Sequence, residues 1–343
     1  MSILRPRLER ALVSPTEVIK SAIRFPINSN SLREIVKRKD NLRKVCIVID
    51  DATRPVPSRL ILEPLIQELK QSGVENSQIT VLIATSLHRK SSQKEIERMI
   101  GRNLIRKVNV VNHSSTNKDD LKFLGTSKSK IPIFINKNYC ESDLKVLTGY
   151  VEPHFFFGFS GGSKSIVPGI AGAETIQLNH SAKNVASPYA RFGSYDKNPM
   201  VSISNEIAST VGADFTVNVC INEKHQLTQV AAGDLNAVHE VLVRYQLKYI
   251  FSKIPHLYDI VICGNGGFPL DLNLYQAVKS MAIGEMAVKE GGTIISVNEC
   301  SDGVGIGQNE FKKLIFSGLT PTKLYAKIIS SDIVVPDQWE IQI

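Results

Sequence analysis

The chain has 343 residues, of which 43% are hydrophobic and 22% are charged, as is usual for a globular protein of one or two domains. The formal net charge is +8, and the densest basic run lies between residues 33 and 44. That run also contains acidic residues and no aromatic side chains, which favours a solvated surface and excludes a typical nucleic-acid footprint. We therefore predict no nucleic-acid partner.

The compartment is indicated by what the sequence lacks. The N-terminal segment carries charges throughout, unlike a signal peptide, and no apolar run reaches the roughly 18 residues of a membrane span. The five cysteines are widely spaced, form no CxxC pair and lie partly in apolar runs. This pattern argues against a zinc knot or a disulfide framework. We predict a cytoplasmic protein with no membrane partner.

Short apolar runs alternate with helical patterns along the chain. A helix is predicted from Ser58, a candidate N-cap, although Pro64 favours a start one turn later. Asn117–Lys130 is polar and irregular and is predicted to be a loop or an excursion from the sheet, followed by a short edge strand at Ile131–Ile135. Two further helices are predicted at Lys94–Ile100 and Ala237–Phe251. The other predicted strands are Val45–Ile49, Thr80–Ala84, Val108–Val111, Val146–Gly149, Phe215–Ile221, Ile260–Cys263, Thr293–Val297 and Ile333–Val335.

This alternation predicts an α/β fold with largely parallel sheets. A proline between a long helix and a new strand, in Ser252–His256, suggests a boundary that divides residues 1–253 from residues 254–343. Ligands of such sheets bind at the carboxyl ends of the strands. Four polar or glycine-rich loops in those places are candidate functional segments: Asp50–Pro57, Thr85–Lys90, Gly149–Gly169 and Gly264–Leu274.

The densest candidate is the stretch 150–181, which contains two histidines, five glycines and one lysine. Glycines let the backbone approach a ligand closely. Residues 158–165 nearly match the phosphate-binding motif GxxxxGK[ST], but Ser163 stands where the second glycine belongs. Taken alone, the stretch could also be an ordinary glycine-rich loop with Lys164 in solvent.

Three other segments carry reactive side chains. The run 50-DDATRPVP-57 offers carboxylates, a hydroxyl and the guanidinium of Arg54, a natural partner for a carboxylate or phosphate, although it could equally be a stiff turn. His88 follows the second strand. Gln276 and Lys279 are three residues apart, so they share one face if their segment is helical. The other histidines have no evident partner and are interpreted as surface or structural residues: His113, His225, His239 and His256.

Together and in this order, these segments resemble the nickel-pincer lactate racemase family, which comprises racemases and epimerases of 2-hydroxy acids. The resemblance runs from about Val45 to Trp339. It is specific because the matching residues fall in separate segments of the chain. It implies two Rossmann-like domains with mixed, mostly parallel sheets and a cleft between them: an N-terminal domain for cofactor and catalysis and a C-terminal domain that contacts substrate.

The resemblance also implies a cofactor, a pyridinium dithio-acid mononucleotide that holds nickel in a flat pincer. Lys164 would be its covalent tether through a thioamide, and His180 would be the protein's nickel ligand. Gly161 and Gly162 would let the cofactor lie close to the backbone. Three residues would hold the phosphate end of the cofactor or the substrate, with the division between them left open: Asp51, Thr53 and Arg54.

On the same resemblance, His88 and His154 would be an acid/base pair that flanks the substrate. Histidine suits both positions because its ordinary pKa of roughly 6.5 makes either protonation state accessible. Four side chains would contact a small, lactate-like 2-hydroxy acid: Gln276 and Lys279 at its carboxylate, and Tyr275 and Trp339 at the wall of the pocket. The implied partners are this acid and, transiently, enzymes of cofactor synthesis; no oligomeric state is indicated.

Two rival functions are carried forward. The family's chains normally continue beyond this point, whereas this sequence stops within 336-PDQWEIQI-343, where a helix begins. That observation raises the alternative of a truncated, non-catalytic relative. A dehydrogenase with a freely dissociating nicotinamide is the weaker rival, because no GxGxxG follows an early strand.

Overall fold

The computed structural model describes residues 2–5, 10–330, 335 and 337–342. Its strands are β1 (Val45–Asp50), β2 (Ile79–Ala84), β3 (Asn109–Asn112), β4 (Leu121–Thr126), β5 (Pro132–Asn136), β6 (Leu144–Tyr150), β7 (Pro153–His154), β8 (Gly158–Phe159), β9 (Phe215–Ile221), β10 (Leu227–Gly233), β11 (Tyr258–Cys263) and β12 (Val288–Ser296). Its α-helices are α1 (Pro15–Arg24), α2 (Leu32–Arg38), α3 (Ser58–Gln71), α4 (Gln93–Ile100), α5 (Arg102–Ile105), α6 (Lys137–Cys140), α7 (Ala173–Asn179), α8 (Ala182–Val185), α9 (Pro199–Val211), α10 (Leu235–Tyr249), α11 (Leu274–Glu285), α12 (Asn309–Ile315), α13 (Pro321–Ile329) and α14 (Gln338–Gln342).

A six-stranded sheet organises the first part of the chain, in the order β10-β9-β6-β1-β2-β3. Every neighbouring pair is parallel except β9 and β10, which are antiparallel. Parallel strands are joined by crossovers that place helices on the faces of the sheet. The sheet is therefore mixed and mostly parallel, and the carboxyl ends of β1, β2 and β6 meet at one edge.

Strand β1 shows why the sheet is buried on both faces. Its first five residues are buried apolar side chains. Val45, Ile47 and Ile49 join the core under α1 and α3, whereas Cys46 and Val48 join the core on the opposite face. A strand sandwiched in this way needs a continuous apolar run, which is the pattern that made it recognisable in the sequence.

The structure corrects two local predictions. Of the two alternatives for Asn117–Lys130, the excursion from the main sheet is right and the plain loop is wrong, because the segment contains β4, which pairs with β5 in a separate antiparallel hairpin. Its side chains are mostly exposed or half-buried, so the strand lacks the apolar signal of a buried one. Helix α3 begins at Ser58 with Pro57 as its N-cap residue, and Pro64 lies inside it rather than delaying its start.

The second part of the chain contains a βαβ unit, in which β11 and β12 are parallel and α11 connects them. Helix α14 packs against α12, α13 and α8, so the last described segment contacts the first part of the protein. The side-chain amide of Gln342 donates to the carbonyl of Ala182 at 3.0 Å. This contact closes one side of the space between the two parts.

The fold confirms the predicted class, α/β with two Rossmann-like units, mostly parallel sheets and a cleft between them. Most predicted strands were found within a few residues of their expected limits. The strand predicted at Ile333–Val335 lies outside the described residues except for Val335. The domain boundary at residues 253/254 stays a prediction. No helix in the described ranges has both the length and the apolar character required to cross a bilayer.

Candidate active site

A single cavity gathers the segments singled out in the sequence. It opens at the carboxyl ends of β1, β2 and β6, and α11 and α14 close it from the other side. Its lining includes eleven of the predicted site residues: Asp51, Arg54, His88, His154, Gly161, Lys164, His180, Tyr275, Gln276, Lys279 and, from α14, Trp339. These side chains come from positions up to more than 200 residues apart in the sequence, and only the fold brings them together.

An imidazole–carboxylate pair stands at the edge of the sheet. Nδ1 of His88 lies 2.7 Å from Oδ2 of Asp51. The other oxygen, Oδ1, accepts hydrogen bonds from the backbone N–H of Thr53 at 3.0 Å and from its hydroxyl at 2.6 Å. Burial by itself would raise the pKa of Asp51, but His88, Arg54 and Thr53 outweigh it and hold that pKa at about 2. Asp51 is therefore ionised at neutral pH and orients the ring of His88.

Gln276 bridges the two parts of the protein across the cleft. Its Oε1 accepts from Nζ of Lys279 at 2.6 Å and from the guanidinium of Arg54 at 3.5 Å. Its Nε2 lies 3.4 Å from Nε2 of His88. Burial and the nearby Arg54 lower the pKa of Lys279 to about 7. A substrate carboxylate bound at the position of this amide oxygen would contact the same two cations, Lys279 and Arg54.

His154 lies in a small hairpin and is held by the backbone that follows it. Its Nδ1 accepts from the N–H groups of Phe156 at 3.2 Å and Phe157 at 3.3 Å. Burial lowers the pKa of His154 well below its ordinary value, and the charged forms of Lys164, Lys279 and Arg54 would lower it further. The ring is therefore neutral at physiological pH.

His180 is the C-cap residue of α7 and is buried. Its Nδ1 donates to the carbonyl of Ile176 at 2.9 Å, which leaves Nε2 as the free lone pair. Burial lowers its pKa to about 3, so this nitrogen is available as a metal ligand. Among the described residues no group of three or more His, Cys, Asp or Glu side chains is arranged to hold a metal. A metal on His180 would need its other donors from a bound molecule.

Lys164 lies in a short 3₁₀ helix at residues 162–165, and its side chain is only partly exposed. Its Nζ is 4.2 Å from the ring centroid of Phe157. Burial, Arg54 and Lys279 lower its pKa well below the ordinary value of 10.5. An uncharged amine in such a site is a nucleophile.

Close packing explains why the two positions 161 and 162, before Lys164, are glycines. A Cβ on Gly161 would lie 2.8 Å from the side chain of Val151, and a Cβ on Gly162 would lie 2.6 Å from the ring of His239. Both residues have positive φ, at +75° and +58°. His239 in turn bonds the carbonyl of Ser160 at 2.8 Å. The loop is thus pressed against the protein itself, and contact of these glycines with a cofactor stays a prediction.

The wall formed by α11 and α14 is tied together by hydrogen bonds. The indole Nε1 of Trp339 donates to the hydroxyl of Tyr275 at 3.3 Å, and that hydroxyl donates to Oδ1 of Asp337 at 3.2 Å. All three residues are buried. Tyr275 and Trp339 therefore form one hydrogen-bonded wall of the cavity, which is where the resemblance implied that they lie.

Sequence reasoning did not single out three acidic residues: Asp50 and Glu340, which line the cavity, and Glu152, which does not. Burial raises the pKa of Asp50 to about 7 and that of Glu340 to about 8. Burial also raises the pKa of Glu152, which accepts a hydrogen bond from the hydroxyl of Tyr150. Asp50 ends β1 next to Asp51 and had a detectable signal, whereas nothing in the sequence marks Glu152 or Glu340. A raised pKa favours the neutral form of a carboxyl group, so near neutral pH these three residues carry less negative charge than exposed carboxylates would.

The fold and this cleft define an α/β protein with imidazole, carboxyl and basic side chains gathered in one site. Residues 1–193 match the family model described as the lactate racemase N-terminal domain, and residues 255–343 match the lactate racemase C-terminal domain. The chain belongs to the lactate racemase family, which is a family of isomerases.

Individual relatives agree with this membership. The chain is 37% identical to the lactate racemase of Thermoanaerobacterium thermosaccharolyticum over 96% of its own length and 76% of the relative. It is 36% identical to the lactate racemase of Lactiplantibacillus plantarum, over 96% of its length and 77% of the relative.

Solved structures support the same fold. The lactate racemase apoprotein from Thermoanaerobacterium thermosaccharolyticum superimposes with a TM-score of 0.87 at 36% identity, covering 98% of this chain and 79% of that one. A Thermotoga maritima protein superimposes with a TM-score of 0.73 at 21% identity, covering 98% of this chain and 83% of that one. The latter likeness concerns the fold alone.

Proposed function

We propose that this protein racemises or epimerises a small 2-hydroxy acid such as lactate, using a nickel-pincer nucleotide tethered to Lys164. The observation that carries the proposal is that His88, His154, Lys164 and His180 line one cavity although they come from separate segments. Membership of the lactate racemase family supports the reaction class. The names of the two bacterial relatives support lactate as the first substrate to test.

The residues of the cleft fit such a cofactor. The lowered pKa of Lys164 favours the free amine that a covalent bond to a thio-acid requires. Nε2 of His180 is free while Nδ1 is bonded to the backbone, as in many metal-binding histidines. His180 would be the protein ligand of the nickel, and the pincer nucleotide would supply the other donors.

When bound, the pyridinium ring of this nucleotide supplies an acceptor for the hydrogen that leaves carbon 2 of the substrate with its electron pair. The protein has to hold the carboxylate and manage the hydroxyl proton. Lys279 and Arg54 both reach Oε1 of Gln276, which marks the place where a substrate carboxylate would bind. His88 and His154 act on the hydroxyl group as the acid/base pair.

The contacts of Asp51, Thr53 and Arg54, which follow β1, favour a separate role for each, which the sequence left open. Asp51 is engaged with His88 and Thr53, so we assign it the orientation of the imidazole. Thr53 links Asp51 to Arg54, whose guanidinium donates to the Thr53 hydroxyl at 2.8 Å. We assign Arg54 to the substrate carboxylate because it points at Gln276. Gly161 and Gly162 would lie beside the cofactor.

Tyr275 and Trp339 are proposed to limit the size of the substrate. Their mutual hydrogen bond and their burial give the wall little freedom to move. A lactate-sized acid suits a cleft closed by such a wall better than an acid with a bulky side chain does. Comparing single-enantiomer 2-hydroxy acids of increasing size would test this assignment.

The partners follow from the proposed chemistry. They are the 2-hydroxy acid and, transiently, the enzymes that make the nucleotide; no nucleic acid or membrane is involved. We propose the cytoplasm as the compartment, which the five free cysteines support because thiols stay reduced there.

The function is tested by producing the chain together with the cofactor-synthesis enzymes and nickel. We expect added mass on the peptide containing Lys164 and loss of optical activity from single-enantiomer lactate. Unmodified Lys164 and no bound nickel in protein made this way would favour the non-catalytic relative. Lactate oxidation that depends on added NAD would favour the dehydrogenase.

A further inference from the structure

We propose that Asp337 sets the substrate specificity of the cleft by engaging the hydroxyl group of Tyr275, so that the wall beside the substrate is apolar. Asp337 is a positioning residue, because it acts through Tyr275 and Trp339 and lies behind the lining of the cavity. The inference rests on the proposed function and deepens it. It predicts that the third carbon of the substrate carries no polar group.

Tyr275 and Trp339 each bring one polar group to a wall that otherwise consists of ring carbons. The indole N–H of Trp339 donates to the Tyr275 hydroxyl at 3.3 Å. That hydroxyl has a single proton, which it donates to Oδ1 of Asp337 at 3.2 Å. Both donors of the wall are therefore engaged within the protein before a substrate binds.

The carboxyl group of Asp337 is an acceptor at neutral pH. Burial raises the pKa of Asp337 to about 6, and the hydrogen bond from Tyr275 opposes this rise. The group is therefore ionised at neutral pH, and a carboxylate accepts hydrogen bonds without donating them. The phenol proton of Tyr275 is held toward Asp337 and is withheld from the cavity.

The proposed chemistry determines where the third carbon of the substrate lies. Lys279 and Arg54 hold the carboxylate, and the hydrogen on carbon 2 faces the cofactor. With both of these fixed, turning the 2-oxo acid to its other face exchanges the places of the C2 oxygen and carbon 3. Carbon 3 therefore lies beside His88 in one enantiomer and beside His154 in the other.

The two histidines have different aromatic neighbours in the lining of the cavity. The ring of Phe155, which has no polar atom, lies 4.8 Å from that of His154, centroid to centroid. The ring of Tyr275 lies 6.4 Å from that of His88, edge to face. Because Asp337 engages the hydroxyl of Tyr275, carbon 3 contacts an apolar surface on either side.

Glu340 is the other polar side chain that α14 brings to the cavity. Its strongest charge interaction is with Lys279, which indicates a position at the carboxylate end of the substrate. The polarity of the wall beside carbon 3 therefore depends on the hydroxyl of Tyr275 and the indole N–H of Trp339.

Polarity is separated from size by two acids that differ at the third carbon. Glycerate carries a hydroxyl group there, and 2-hydroxybutyrate carries a methyl group of similar size. A hydroxyl that enters an apolar site loses its hydrogen bonds to water and gains none. We therefore expect kcat/KM of the loaded enzyme for 2-hydroxybutyrate to exceed that for glycerate by roughly 10- to 100-fold.

Two variants test whether Asp337 causes this preference. Asp337→Gly removes the carboxylate at a residue whose φ is +67°, where glycine fits without strain. It frees the Tyr275 hydroxyl for the substrate and should lower the preference for 2-hydroxybutyrate over glycerate by about tenfold or more. Asp337→Asn keeps an oxygen acceptor for the phenol and should keep the preference.

A merely structural role of Asp337 gives a different result. A loosened wall would change kcat/KM for glycerate and 2-hydroxybutyrate in the same proportion, because the two acids have similar size. An unchanged ratio in Asp337→Gly, or an equal loss of the preference in Asp337→Asn, would overturn the inference.

The wall can also be examined in the cofactor-free chain, because Trp339 is the only tryptophan. Its indole N–H gives one isolated signal in ¹H–¹⁵N spectra, and Tyr275→Phe removes the acceptor of that N–H. Exchange of the indole proton with solvent should become about tenfold faster or more in this variant. Tyr325→Phe, which changes an exposed tyrosine of α13, is the matched control and should leave the exchange rate unchanged. Equal rates in the two variants would overturn the proposed wall.

The outcomes distinguish this inference from the proposed function. Racemisation of lactate with equal kcat/KM values for glycerate and 2-hydroxybutyrate would overturn the role of Asp337 and leave the racemase function intact. Absence of racemisation of all three acids by protein that carries nickel and modified Lys164 would overturn the proposed function, and the indole exchange rates would still test the wall.

Discussion

The indole ring of Trp339 lies 4.8 Å from the imidazole of His180, centroid to centroid, and the two rings are inclined at 43°. Trp339 comes from α14 and His180 from the end of α7, so this contact joins the last described helix to the first part of the protein. With the bond from Nδ1 to Ile176, it fixes the direction in which Nε2 of His180 points. The orientation of the proposed nickel ligand therefore depends on both parts of the chain.

We predict from this contact that removal of the indole weakens nickel binding. Trp339→Ala should lower nickel affinity by about 10- to 100-fold, as loss of a residue that orients a metal ligand typically does. His180→Ala should also weaken nickel binding while Lys164 remains modified. The measurement is the ratio of nickel to modified Lys164, by elemental analysis and mass spectrometry. Trp339→Phe is the matched control; the idea fails if Trp339→Ala retains nickel as well as this control does.

Asp51 is predicted to be essential for the rate and dispensable for cofactor attachment. Asp51→Asn preserves the shape of the side chain but removes the negative charge that holds Nδ1–H of His88 and stabilises the ring once it is protonated. Racemisation should fall by on the order of 100- to 10,000-fold, as when the carboxylate of an Asp–His pair is replaced in other enzymes. Modification of Lys164 should be unchanged.

A control for Asp51 is provided by the N-cap of α10. Asp234 accepts from the N–H groups of Asn236 and Ala237 at 3.0 Å each, and asparagine caps helices equally well. Asp234→Asn should therefore behave like the unmodified sequence. A normal rate for Asp51→Asn would show that His88 needs no carboxylate partner.

Substrate binding is predicted to weaken as the pH rises through about 7. Lys279 has its pKa lowered to about that value, so it loses its positive charge above it and can no longer neutralise a carboxylate. The ratio kcat/KM should fall by up to about tenfold per pH unit on this alkaline side. Lys279→Arg, which stays charged, should abolish this decline even if it lowers the rate.

Glu340 tunes this response. In its ionised form Glu340 raises the pKa of Lys279, so Glu340→Gln, which removes that charge, should move the decline in kcat/KM to lower pH. Both statements are tested by measuring kcat/KM between pH 6 and 9 for the unmodified sequence, Lys279→Arg and Glu340→Gln. A decline of kcat/KM at the same pH in Lys279→Arg would assign it to a different group.

The close contact of Gly162 with His239 predicts a stability effect. Alanine at positive φ costs about 1 kcal/mol, and at residue 162 its Cβ would also meet the His239 ring at 2.6 Å. Gly162→Ala should therefore lower Tm by several degrees more than Gly73→Ala, a glycine at φ +94° with no atom near its would-be Cβ. Thermal unfolding of both variants measures the difference, and equal Tm values would contradict the packing argument.

The sequence predicted the parts of the fold that are buried on two sides. Strand β1 and its neighbours are continuous apolar runs, and the loops after them contain Asp51 and His88. It failed for β4, whose exposed residues are held by pairing with β5 rather than by burial.

The reactive residues of the site could be predicted from the sequence, but the hydrogen bonds between them could not. The His88–Asp51 bond spans 37 positions and the Gln276–His88 contact spans 188, and both exist only because the sheet and α11 converge. Glu152 and Glu340 acquire raised pKa values through burial, which no local pattern indicates.

The most direct test of the proposed function is the mass of the Lys164 peptide measured alongside racemisation. Protein made with nickel and the cofactor-synthesis enzymes should carry the nucleotide on Lys164 and should racemise single-enantiomer lactate. Lys164→Ala, made in the same way, should lack both the added mass and the activity. Racemisation at an undiminished rate by Lys164→Ala, or by protein whose Lys164 is unmodified, would contradict the account.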